Sequence, residues 1–79
     1  MNSAEMTVQE IDPLNRALRI GSLEIFVPLD CTIVANQEHV RLHFLLPGDH
    51  VRVEFTHEDG MAVARCIRLI RFEELPLAS

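Results

Sequence analysis

The chain is 79 residues long and 48% hydrophobic, with a formal charge of −5 and arginine as its only fixed cation. That length holds one domain, burying about 60 to 65% of the surface its unfolded chain exposes, and its acidity repels polyanions unless the arginines gather on one face. The opening Met1-Asn2-Ser3-Ala4-Glu5 has no basic or apolar leader region, and no stretch approaches the roughly 18 apolar residues of a membrane helix, so a soluble cytoplasmic protein without membrane contact is expected.

Met6–Asp12 is the first predicted strand. Val8 and Ile11 lie three apart, so both face inward only if the strand bulges or bends between them. Asp12-Pro13-Leu14-Asn15-Arg16 follows as a turn, with Pro13 suited to its second position and Asn15 tolerant of left-handed φ. Ala17–Ile20 and Leu23–Val27 flank Gly21-Ser22, a two-residue hairpin loop of the Gly-first kind. With Ile20 opposite Leu23, Leu18 falls opposite Ile25 on one face and Arg19 opposite Glu24 on the other, so packing and charge select the same register.

Pro28-Leu29-Asp30 interrupts the chain, Cys31–Val34 is a short β-prone run, and the polar Asn36-Gln37-Glu38 stops it. Val40, Leu42 and Phe44 alternate with Arg41 and His43 as in a strand, while Leu45-Leu46 ahead of Pro47 also suits a short helical turn over one mouth of a barrel. The residues leave both readings open.

Leu46–Arg71 reads as a long β-hairpin around which the rest is organised. Pro47-Gly48-Asp49 is turn chemistry, and beyond it Val51, Val53 and Phe55 alternate with His50, Arg52 and Glu54. Asp59-Gly60 suits a type I′ turn that pairs Glu58 with Met61, Phe55 with Ala64 and Glu54 with Arg65. Continued unchanged, that register sets Ile67 against Arg52; a one-residue bulge near Cys66 restores Val53 with Ile67 and Val51 with Leu69, and is predicted there. Glu73–Ser79 has no periodicity and is expected to fray, leaving an ordered core of about residues 6–72.

Five or six short antiparallel strands with closely spaced turns make an all-β domain, and at this size a partly open barrel hides its edges better than a two-sheet sandwich. Phe26, Phe44, Phe55 and Phe72 are the only aromatic rings, and at least three are expected in the core. Cys31 and Cys66, lacking a Cys-x-x-Cys motif, read as small buried or half-buried side chains.

The order Val8-x-x-Ile11-Asp12, Leu18-x-Ile20-Gly21-Ser22-Leu23-x-Ile25, Asp30-Cys31-Thr32-Ile33, Leu46-x-Gly48-Asp49-x-Val51-x-Val53 and Gly60-x-x-Val63-Ala64-x-x-Ile67 resembles the small bacterial OB-like β-barrel domains of unknown function, over about residues 6 to 70. The resemblance implies a fold far better than a function, since Gly-Asp-x-Val-x-Val is shared by many barrels, OB-type RNA binders among them. A more distant likeness is to the periplasmic copper and silver efflux metallochaperones, whose site uses methionines, a histidine and a tryptophan. This chain has no Trp, and Met6 and Met61 have no His partner at a matching position, so no metal ligand is carried over.

His39, His43, His50 and His57 are read as exposed or capping side chains, because their spacing does not converge along strands. Arg41, Arg52, Arg65, Arg68 and Arg71 form the candidate anion or nucleic-acid face, with Arg52 and Arg68 opposite each other in the bulged register. A surface ion network is the competing reading, and no phenylalanine is placed outside to stack a base. No Ser-His-Asp or Cys-His order, phosphate loop or paired-carboxylate cleft is visible. The expectation is a non-enzymatic binding module without cofactor, associating with another protein or with itself; single-stranded nucleic-acid binding through the arginine hairpin is the first alternative and a metal-binding accessory barrel the second.

Overall fold

The apolar and polar alternation of the sequence is carried by seven strands in the computed structural model, which describes residues 2–70. These are β1 (Asn2–Asp12), β2 (Ala17–Ile20), β3 (Leu23–Phe26), β4 (Thr32–Ala35), β5 (Glu38–His39), β6 (His50–Glu58) and β7 (Met61–Ile70). They hydrogen-bond in the order β3-β2-β1-β6-β7-β4-β5, and β3 also pairs with β7. The ring β1-β2-β3-β7-β6 is therefore a closed barrel, and β4 and β5 extend the sheet beside it.

The all-β small barrel is the predicted class, with three differences of detail. The ring is closed rather than partly open, and the strands number seven. Two of the pairings are parallel. The closure and the parallel pairings come from β7, which is long enough to take β3 along its first half (Ile25↔Ala62, Phe26↔Val63) and β4 along its second (Thr32↔Cys66, Ile33↔Ile67, Val34↔Arg68). Pro28-Leu29-Asp30 thus separates two segments lying end to end on one edge of β7. The extra strand β5 arises because Asn36 and Gln37 both take positive φ, 54° and 68°, and close a two-residue hairpin of the primed kind.

Two bulges shape the barrel, each where the sequence spaces inward apolar residues by three. In β1, Val8 pairs with Ile20 and Glu10 with Arg19, so Gln9 is the extra residue and Val8 and Ile11 share a face, as predicted. In β7, Phe55↔Ala64 is followed by Glu54↔Cys66 and then Val53↔Ile67 and Val51↔Leu69. The extra residue is Arg65, so Glu54 faces Cys66 and the expected Glu54–Arg65 pairing does not form. The Gly21-Ser22 hairpin keeps its predicted register through Ile20↔Leu23, Arg19↔Glu24 and Leu18↔Ile25.

The segment left open in the sequence is a single 3₁₀ turn, Leu42–Phe44. Residues three apart eclipse in that geometry, so Leu42 and Leu45, 1% and 2% exposed, both enter the core while His43 and Phe44 stay outside. The Pro47-Gly48 turn that follows is held to the β1 bulge: Val8 N–H donates to the Asp49 carbonyl (2.7 Å) and Gly48 N–H to the Val8 carbonyl (2.9 Å). Inside, Val8, Leu18, Ile20, Ile25, Val51, Val53, Ile67 and Leu69 form one cluster with these two leucines. Fully burying such a side chain contributes roughly 1.5–3 kcal/mol.

The aromatic expectation fails. Phe55 is buried, but Phe26 and Phe44 are 37% and 41% exposed, and Phe72 lies outside the described residues. On β3 alternation turns Ile25 inward and so Phe26 outward, and the 3₁₀ turn buries Leu42 and leaves Phe44 outside. Left-handed φ in the β1–β2 turn falls on Arg16 (φ 55°) rather than Asn15. Asn15 is held by Asp12, whose carboxylate accepts from its N–H (3.2 Å) and its Nδ2 (2.7 Å). Arg16 instead caps the neighbouring chain just past β3, donating to the carbonyls of Val27 (2.8 Å) and Pro28 (3.0 Å).

Candidate functional site

The strand register disperses most of the candidate arginines. Arg52 on β6 and Arg68 on β7 are direct partners, as predicted. Glu5, across from Arg52 on β1, accepts from its Nε (3.1 Å) and Nη2 (2.9 Å), and the His50 imidazole stands 3.8 Å from the other Glu5 oxygen. Arg68 pairs with no carboxylate among the described residues. Arg65, displaced by its bulge, pairs with Glu58 instead. Arg41 precedes the 3₁₀ turn and borders a separate depression with Arg16 and His43. Arg71 lies outside the described residues.

Among the described candidate arginines only Arg52 and Arg68 share a surface, a shallow groove of about 540 Å³ lined also by Glu5, His50, Glu54 and Cys66. Its two carboxylates cancel its two guanidiniums. The outer face over β1, β2 and β3 is more acidic, carrying Glu10, Asp12 and Glu24 beside Arg19, which bonds Glu10 at 3.2 Å. Neither surface carries an excess of positive charge among its lining residues.

The four histidines are all exposed, as read from the sequence. Among the described residues no three His, Cys, Asp or Glu side chains are grouped to hold one metal ion. The cysteines are half-buried free thiols. Burial, and then the neighbouring Cys66, push the Cys31 thiol up to about 11, away from the thiolate a nucleophile needs. No described helix is long and apolar enough to cross a membrane.

A different feature stands out on β1. Its residues Asn2–Thr7 pair with β6 from Phe55 to His50, whereas pairing with β2 begins only at Val8. Because the N–H and C=O of Val8 point toward the β6 side, alternation directs those of Ala4 and Met6 the same way and those of Ser3 and Glu5 outward. Among the described residues no strand lies along that outward edge. Free edges are usually blunted by charge, proline or brevity. The β5 edge is two residues long and carries Glu38, but Asn2–Thr7 has no proline and a single charge, Glu5, which Arg52 pairs on the outer face.

Comparison with protein-family models, curated proteins and solved structures finds no match. Sequence reading missed the edge because it began the first strand at Met6, four residues late. Asn2-Ser3-Ala4-Glu5 carries no β-branched signal, and only the tertiary pairing with β6 makes it a strand.

Proposed function

We propose that this chain is a non-enzymatic protein-binding module that takes an extended segment onto the free edge of β1. The observation that carries the reading is the one-sided pairing of Asn2–Thr7. Strand addition of this kind draws affinity from main-chain hydrogen bonds and selectivity from the alternate side chains flanking the edge. Six extended residues offer about 20 Å of such edge, with Met6, 41% exposed, as its apolar handle. The dispersal of the arginines gives nucleic-acid binding less support than this reading, and a half-buried thiol with a raised pKa offers a catalyst little.

The test is selection from a random-peptide display library against the protein at micromolar concentration, followed by heteronuclear NMR mapping of the peptides recovered. Shifts at the Ser3 and Glu5 amides are expected, with little change at Arg68. A library that yields no binder, or binders that map only to the Arg52 and Arg68 groove, would overturn the proposal.

A further inference from the structure

We infer that the segment accepted by the β1 edge is the same edge of a second copy, in one register centred on Ala4. This deepens the strand-addition reading and rests on it. Side-chain parity limits the choices, since two barrels joined into one sheet keep their cores on the same side only if even residues meet even and odd meet odd. The outward backbone groups of Ser3 and Glu5 must also be the ones that pair. Two antiparallel registers satisfy both conditions within Asn2–Thr7. One sets Glu5 against Glu5 of the second copy. The other sets Ser3 against Glu5, Glu5 against Ser3, Ala4 against Ala4 and Asn2 against Met6.

Charge separates the two. Like charges directly opposite are destabilising, so the first register is disfavoured at its central pair. In the second, each Glu5 faces a serine and keeps its own Arg52, whose Nη2 lies 2.9 Å away. The two Ser3–Glu5 pairs exchange about four main-chain hydrogen bonds. Ala4 at the two-fold axis is small enough for close approach, and the half-exposed Met6 of each copy is brought beside it. The joined sheet runs β5-β4-β7-β6-β1 and then the same strands in reverse, near the roughly ten strands an open twisted sheet sustains.

Four measurements on the full chain test this: sedimentation, cross-linking, a proline variant and amide protection. Sedimentation of the 9.0 kDa protein is expected to show a concentration-dependent dimer. In a Cys31→Ser/Cys66→Ser background, oxidation is expected to cross-link Ala4→Cys to itself faster than Glu5→Cys. Ser3→Pro removes an N–H that faces away from β6, so the barrel keeps its pairing while the dimer loses two bonds, weakening association on the order of a hundredfold. Monomer mass up to millimolar concentration overturns self-pairing. So does protection of the Ser3 and Glu5 amides that is independent of concentration, because the occupant is then part of the same chain. If library peptides still shift those amides while the protein stays monomeric, self-pairing alone has failed; if they do not, the edge reading has failed with it.

Discussion

At Asp12 and Cys31 the fold changes the proton affinity of single side chains, in opposite directions. Hydrogen bonds from the side chain and backbone of Asn15 hold the Asp12 carboxyl below its ordinary 3.8. A depressed carboxyl adds stability that is present above its unfolded value and lost as pH falls through the folded one. Asn15→Ala is therefore expected to move the Asp12 NMR titration midpoint up toward 3.8 and to shrink the acid limb of the stability profile. Cys31 behaves inversely: raised from 9.0 to about 11, its contribution is complete below about pH 9 and is lost as pH rises through 11. Alkylation at pH 8 is expected to be on the order of a hundredfold slower at folded Cys31 than in the unfolded chain, where its thiolate fraction is ordinary. Equal rates in the two states would refute the burial that causes the shift. Neither residue's behaviour is legible from composition, because Asn15 looks like a left-handed turn residue until the Arg16 guanidinium is seen capping the Val27 and Pro28 carbonyls.

At the scale of the element, the 3₁₀ turn shows how a short segment serves the core without belonging to a strand. Leu42 and Leu45 are buried while His43 between them is not, so these two side chains carry the segment's contribution to the core cluster. Leu42→Ala is expected to cost about 2–5 kcal/mol in urea unfolding, whereas His43→Ala stays within about 0.5 kcal/mol. In a domain whose total stability is on the order of 5 kcal/mol, the first change leaves a measurable unfolded fraction at room temperature. The bulged strands were readable for a simple reason: Val8 with Ile11 and Ala64 with Ile67 break strict alternation, and only an inserted residue returns both members of each pair to one face. Which residue is inserted was not readable, since either Arg65 or Cys66 restores parity. The barrel places Arg65 outside, where Glu58 receives it.

For the molecule as a whole, charge and edges govern behaviour in solution. The formal charge is −5 at neutral pH, with twelve carboxylates against seven arginines. Solubility is expected to pass through a minimum near the pI of about 5.2, checked by turbidity against pH. Short single-stranded RNA at low salt is expected to leave the Arg52 and Arg68 amides unshifted, because the groove they share is charge-balanced and neither exposed ring, Phe26 or Phe44, lines it. Salt-sensitive shifts at those two residues would restore the nucleic-acid alternative.

What the sequence determined by itself is local: the hairpins at Gly21-Ser22 and Asp59-Gly60, the inward set of each strand, and the need for two bulges. These depend on side-chain period and turn chemistry, which act over a few residues. The tertiary structure alone decided the closure through β3 and β7, the exposure of Phe26 and Phe44, the scattering of the described arginines and the edge of β1 that no described strand covers. Each of these depends on which strand lies beside which, and neighbours in a sheet are chosen by the packing of the whole chain rather than by the residues next in line.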